Sequence, residues 1–276
     1  MGKAMTMWAA ALLLATAGLA HAGEILVRRG GYTLQGEESG SGTTTVVFEA
    51  GFGQGPGAWK QVIAGLGADY RSVAYARAGL GKSGSDGETK RIDDHLSDLS
   101  ALIETVAPGQ QVILVGHSYG GLLVTEFARR HPQRVRGIVL VDPATISQRL
   151  AYRTADAARV QADDAALLAM LPPSMAADYR VLVEQLDAAD AAGERAMPDV
   201  PVALLTATQV ADEPLVFEET AAGKVIWRAQ HALLFSTFAR GVHRYVATGH
   251  SIAKEDPPAV VQAIGEMAAM PAVADH

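Results

Sequence analysis

Ser118 stands in Gly116-His-Ser-Tyr-Gly120, a G-x-S-x-G pattern. It follows four β-favouring apolar residues, Val112 to Val115, and precedes a helical stretch from Leu122 to Arg130. A serine hydroxyl is a poor nucleophile near neutral pH unless a base takes its proton as it attacks. Strand, sharp turn and helix in that order would lift the hydroxyl clear of a sheet edge, within reach of a base and a substrate. Gly116 and Gly120 lack the Cβ atoms that would clash where strand and helix cross so closely. Residues of this type at this spacing suit acyl transfer.

The natural base is histidine, which accepts and returns a proton near neutrality. Of eight histidines, His117 sits inside the serine turn, His131 ends a helix, and His95 and His231 lie within helical patterns. His250 differs. It follows a short strand, Val242 to Val246, in a Thr-Gly-His-Ser turn, and it precedes an acidic, Pro-rich loop. A carboxylate must then orient the imidazole and stabilise its charged form, and it should lie between serine and histidine in the chain. Asp142 ends the strand after the serine helix, where Pro143 stiffens the backbone beyond it; Asp212 lies six residues beyond a strand that ends at Thr206. Asp142 is the better fixed of the two, and Asp212 stays as the alternative. Donors for an oxyanion are expected at the backbone N–H of Tyr119 and at that of Phe52, in a loop whose Gly51 and Gly53 allow close approach.

These residues need a scaffold that gathers strand ends. Glu24–Val27 and Tyr32–Leu34 read as an opening hairpin, and Thr45–Phe48, Val73–Tyr75, Val112–Val115 and Gly137–Val141 as strands. Helical patterns at Ala58–Leu66, Ile92–Val106 and Leu122–Arg130 alternate with them, which predicts an α/β fold with a doubly wound, mostly parallel sheet. The rhythm breaks over residues 145–199, which are Ala-rich, contain no convincing strand and carry Pro172-Pro173 between helices at Ala157–Met170 and Met175–Ala189. This stretch is expected to form a helical cap with an apolar lining, inserted between core segments 23–144 and 200–276. Pro201–Thr206, a helix bearing Trp227, Val242–Val246 and a helix from Pro258 to Met270 complete the core. Gly79-Leu-Gly-Lys-Ser-Gly84 mimics a dinucleotide fingerprint, but Ser85-Asp-Gly87 comes next, where a helix should open, so it reads as a loop.

Lys3, an apolar run from Trp8 to Ala17 and Ala20-His-Ala22 have the layout of an export signal spanning residues 1–22, cleaved near Ala22. The expected location is secreted or periplasmic, and the run is too short for a stable membrane anchor. The chain has 276 residues, 49 % of them hydrophobic, and a net charge of −7, which supports a sizeable core and argues against nucleic acid as a partner. With no cysteine and no metal-binding motif, neither a metal nor an organic cofactor is expected, and the expected partner is a small ester-like substrate.

Together, Glu49-Ala-Gly-Phe-Gly53, Arg77-Ala-Gly-Leu-Gly-Lys-Ser83, Gly116-His-Ser-Tyr-Gly-Gly121, Val139-Leu-Val-Asp-Pro143 and Gly249-His250 resemble the α/β-hydrolase fold superfamily. The resemblance implies a serine hydrolase with Ser118 as nucleophile, His250 as base and a cap over residues 145–199. Three departures stand out: Glu49-Ala50 replaces the His-Gly of many members, Ala76 replaces an aspartate before the arginine, and the strand ending at Thr206 lacks the usual Gly-x-x-Asp. Some lipase-like relatives place the acid in an Asp-Pro-Ala sequence like Asp142-Pro-Ala144. A serine nucleophile disfavours the dehalogenase and epoxide hydrolase branches, which use aspartate. The sequence points to an exported esterase-like enzyme. Lactonase, amidase, peptidase, cofactor-free haloperoxidase and a non-catalytic ligand-binding protein remain as alternatives, because fold alone does not fix function.

Overall fold

The computed structural model describes residues 22–188 and 194–271. The predicted signal therefore lies outside them except for Ala22. In chain order come β1 (Ala22–Arg28), β2 (Thr33–Ser39), β3 (Thr44–Glu49), α1 (Lys60–Ala64), β4 (Tyr70–Tyr75), α2 (Ile92–Val106), β5 (Val112–His117), α3 (Tyr119–Arg130) and β6 (Val135–Val141). They are followed by α4 (Gln148–Met170), α5 (Pro173–Asp187), β7 (Val202–Ala207), α6 (Ala221–Ser236), β8 (Gly241–Val246), α7 (Ile252–Glu255) and α8 (Pro257–Ala269). One eight-stranded sheet runs in the order β1-β2-β4-β3-β5-β6-β7-β8. Its first two pairings, β1 with β2 and β2 with β4, are antiparallel, and every other pairing is parallel.

The sheet is covered on both faces, which is why its central strands read as unbroken apolar runs rather than alternating ones. Successive side chains of β5 point to opposite sides. Val112 and Leu114 join α2 and α3 in one core, whereas Ile113 and Val115 join α1, α7 and α8 in the other. α2 spans the predicted Ile92–Val106 and buries Leu96, Leu99, Ile103 and Val106 as one stripe. The parallel strands deliver their carboxyl ends to one edge, and Ser118, Asp142 and His250 all stand beyond such ends.

The insertion differs from its sequence reading in one respect. α4 starts at Gln148, nine residues before the predicted Ala157, and is broken at Asp156 (φ −154°, ψ 83°). The Asp156 carboxylate accepts the Arg159 N–H at 2.9 Å, so it caps the half of the helix that the sequence did reveal. The predicted end of the next helix, Ala189, lies outside the described residues.

Candidate active site

The serine turn is built by exclusion of side chains. Ser118 has φ 51° and ψ −122°, a left-handed conformation rarely adopted by a residue with a Cβ. The packing around it over-determines that geometry. A Cβ on Gly116 would lie 2.5 Å from the Gly120 carbonyl oxygen, one on Gly120 2.2 Å from that of Glu49, and one on Gly121 2.4 Å from the Pro143 Cβ. The Ser118 carbonyl is held by the N–H groups of Gly121 and Ala144, each at 2.8 Å.

Asp142 also has positive φ, 45°. Its N–H donates to the Leu205 carbonyl at 2.8 Å, which ties the end of β6 to β7. The side chain is fully buried. One carboxylate oxygen accepts the Ala207 N–H (2.8 Å) and the Trp227 indole N–H (2.7 Å), and the other faces His250 Nδ1 at 2.6 Å. Burial alone would push this carboxyl up. Its bonds to His250 and Trp227 and the nearby His231 outweigh that, holding it below the usual carboxylate range. Burial likewise opposes charge on His250, but the Asp142 bond and the Glu218 and Asp142 charges win, and its pKa is raised. With Nδ1–H donating to Asp142, Nε2 is left free to act as a base. Asp212 is exposed and forms no contact with His250.

The loop after β3, where an oxyanion donor is expected at Phe52, has its own clamp. Glu49 and Arg77 are buried, with 1 % and 3 % of their side chains exposed. The guanidinium donates to Glu49 Oε1 (2.5 Å), to the Ala50 carbonyl (2.6 Å) and to the Gly51 carbonyl (2.5 Å), while the Tyr75 hydroxyl donates to the other Glu49 oxygen. These bonds turn the carbonyls of residues 50 and 51 inward and hold the backbone beside the serine turn. Among the described residues, neither the Phe52 N–H nor the Tyr119 N–H has an acceptor, and Ser118 Oγ and His250 Nε2 form no hydrogen bond with each other or with a third group. A second anchor is His117, whose Nε2 donates to the His250 carbonyl at 3.0 Å. Burial lowers its pKa to about 4, so it is neutral.

Sequence reasoning thus named Ser118, Asp142, His250, Phe52 and Tyr119, and the structure gathers all five at one sheet edge. It missed Trp227, Ala207, Glu218 and the roles of Glu49, Arg77 and His117. Of these, Glu49, Arg77 and His117 carried a local signal, since each stands inside a motif already singled out. Glu218 Oε1 lies 3.8 Å from His250 Nδ1, and burial pushes its carboxyl up.

Ser118 opens into a cavity of about 260 Å³ lined by Phe52, Tyr119 and side chains of α4, α5 and the 216–218 segment. Its lining is not purely apolar, as the Ala-rich composition suggested. Leu167, Leu182 and Val183 line it beside Arg149, Asp163, Asp164 and Glu218. The alanines of α4 are mostly exposed or half-exposed. Among the described residues no group of three or more His, Asp or Glu could hold a metal ion, and no helix is long and apolar enough to cross a membrane.

A mostly parallel eight-stranded sheet with a Gly-flanked serine turn after its central strand is an α/β-hydrolase architecture. The chain belongs to the family described as serine aminopeptidase S33, whose profile matches residues 41–216. An uncharacterised Bacillus subtilis protein, YqjL, is 32 % identical over 119 residues, which cover 41 % of this chain and 47 % of that one. The pimeloyl-[acyl-carrier protein] methyl ester esterase of Yersinia enterocolitica is 33 % identical over 102 residues, 37 % of either chain. The chain thus spans less than half the length of these curated relatives. In fold, an epoxide hydrolase of Vigna radiata superposes with a TM-score of 0.66 at 18 % identity, covering 90 % of this chain and 97 % of its own. The protein has the α/β-hydrolase fold.

Proposed function

We propose that this protein hydrolyses ester-type bonds through an acyl-enzyme on Ser118. The observation that carries the reading is the 2.6 Å bond between His250 Nδ1 and a fully buried Asp142. That bond fixes one tautomer and one ring orientation, leaving Nε2 as the base. As Ser118 Oγ attacks the carbonyl carbon, His250 Nε2 takes its proton and Asp142 stabilises the resulting imidazolium. The carbonyl oxygen gains charge between the free N–H groups of Phe52 and Tyr119, which the Arg77 clamp and the helix start hold in place beforehand. The tetrahedral intermediate collapses: the bond to the leaving oxygen breaks and His250 returns its proton to that oxygen. Water then repeats the sequence on the acyl-enzyme and frees the acid. Similarity to a methyl ester esterase supports ester substrates, and the serine chemistry in the family's description supports the nucleophile.

The test is covalent. A fluorophosphonate probe should label the protein stoichiometrically, Ser118→Ala should not be labelled, and its kcat on an activated ester should fall about a million-fold. Equal labelling of the Ala variant would remove Ser118 from the mechanism. Export belongs to the same proposal, resting on residues 1–22. N-terminal sequencing of protein recovered outside the cytoplasm should begin near Gly23, and an intact N-terminus there would overturn it.

A further inference from the structure

Besides Ser118 Oγ, the Phe52 and Tyr119 N–H groups and the Tyr119 hydroxyl, two polar side chains of the Ser118 cavity, Tyr152 and Glu218, lack partners among the described residues, and the rest of its charged lining is occupied. Asp164 accepts both outer nitrogens of Arg149 and the Tyr179 hydroxyl. Asp163 accepts Arg159 Nε and the Phe217 N–H. The Tyr152 hydroxyl, in contrast, is buried and neither donates nor accepts, although the residue is only 6 % exposed and lines the cavity. Its ring cannot swing away to find a partner. It stacks on Trp227 (centroids 6.5 Å apart, planes at 7°) and meets Phe217 edge-on at 5.5 Å. Trp227 is itself pinned to Asp142. Glu218 lines the same cavity with its side chain 23 % exposed. Its carboxylate makes no hydrogen bond, lying at 3.8 Å from His250 Nδ1, beyond bonding range.

A buried donor without an acceptor and a carboxylate without a donor leave an unpaired polar end in the cavity. A carbonyl or ether on the substrate would accept from Tyr152 and leave Glu218 unpaired. An ammonium would donate to Glu218 and supply no acceptor for Tyr152. A hydroxyl does both. We infer that the cavity selects esters bearing a hydroxyl group near the scissile carbonyl, held between the Tyr152 hydroxyl as donor and the Glu218 carboxylate as acceptor. Plain hydrocarbon acyl groups are then the disfavoured substrates, since they would cover both groups without pairing them. This selectivity rests on the ester-hydrolase reading, but its binding component can be measured without turnover.

Ser118→Ala serves as a non-turnover receptor. Its affinity for methyl lactate and methyl β-hydroxybutyrate is compared by calorimetry with that for methyl propionate and methyl butyrate. The hydroxylated member of at least one pair should bind about 10- to 100-fold tighter, and adding Tyr152→Phe or Glu218→Gln should bring that ratio close to one. Equal affinities within both pairs, or a preference that survives both substitutions, would overturn the inference. A Glu218 that acts only through the charge of His250 would shift the pH profile of all four esters alike in the wild type and leave the binding ratios unchanged in the Glu218→Gln variant; this too would overturn it. Failure of the hydrolase reading looks different: no fluorophosphonate labelling and no turnover, whatever the ratios on Ser118→Ala. Thermal unfolding of each variant separates loss of selectivity from loss of fold.

Discussion

The sheet edge and the α4–α5 cap meet across one cavity, yet they are held by different forces. At the edge, position is set by backbone and by sterics. Gly116, Gly120 and Gly121 have no room for a Cβ, Asp142 is fully buried, and β5 and β7 are buried along their whole length. In the cap, α4 buries only Gln148, Tyr152 and Val160 of its 23 residues and is interrupted at Asp156. Beyond those, ion pairs of Arg149 with Asp164 and Asp187 and of Arg159 with Asp163 tie its helices together. Apolar burial is worth far more than such pairs. On the proposed function, the edge is then the rigid partner that would perform the chemistry, and the cap the softer one that would select the substrate. Substitutions on the two sides should separate in kcat and KM.

The largest effect beyond loss of the nucleophile is expected at Asp142. Asp142→Asn keeps the shape but loses the charge and offers the wrong group to His250 Nδ1, so kcat should fall about 10⁴-fold. The pH profile should move as well. His250 must be neutral to act, and its pKa is raised in part by the Asp142 bond and charge. Removing that charge lowers the pKa, so the acid limb of kcat/KM should shift to lower pH while the plateau drops. Stability responds with a definite sign. The depressed pKa of folded Asp142 gives stability that is present above the unfolded value near 4 and is lost as pH falls through the folded pKa. Chemical denaturation from pH 7 downward should show that loss in the wild type and not in Asp142→Asn. An unchanged acid limb in the variant would break the assignment of Asp142 as the partner of His250.

Trp227→Phe is milder. It removes one of two donors to the buried Asp142 oxygen and leaves the Ala207 N–H. The Asp142 pKa should rise, and kcat should fall roughly 10- to 100-fold, corresponding to about 1–3 kcal/mol for an under-satisfied buried group. KM should change little, because the indole N–H faces the acid and not the cavity. A variant that loses KM and keeps kcat would place Trp227 with the cap instead of the edge.

The same division explains what the sequence disclosed. The elbow glycines, the strand runs and the Asp-Pro-Ala after β6 are local patterns with a local cause. A Cβ clash or a two-faced burial constrains each position whatever lies elsewhere in the chain. Asp142 could be preferred to Asp212 because a strand end holds it, and that rigidity is what lets it sit at φ 45° against His250. Trp227 reaches Asp142 from 85 residues away, and Glu218 reaches the His250 ring from a segment with no motif at all. Arg77 was legible as part of a resemblance, but its grip on the carbonyls of residues 50 and 51 depends on β3 and β4 being neighbours in the sheet. The first turns of α4 escaped notice because Gln148 to Asp156 carries no apolar stripe to reveal them, and Ser147 commits its hydroxyl to Gln230 rather than to a cap.

The smallest effect should fall on the cap. Arg149 sits before the Asp156 break and reaches across it to Asp164, at 2.8 and 3.0 Å, and to Asp187 near the end of α5, at 2.8 Å. It therefore joins the two halves of α4 to each other and to α5. Its partners are partly exposed, so solvent screens the pairs, and Arg149→Met should cost about 1 kcal/mol of stability or less. That is a shift of roughly 2–4 °C in Tm for a protein of this size. Removal of the guanidinium also frees Asp164 and Asp187 to repel each other, which loosens α4 against α5 where they line the cavity. KM for a neutral ester should rise several-fold while kcat stays within a factor of two, because none of the Arg149 contacts reaches Ser118, Asp142 or His250. Proteolysis should cut the variant faster within residues 148–187 than elsewhere. If Arg149→Met lowered kcat a hundredfold at constant KM, edge and cap would not be separable, because the cap would then be shaping the transition state and not merely admitting the substrate.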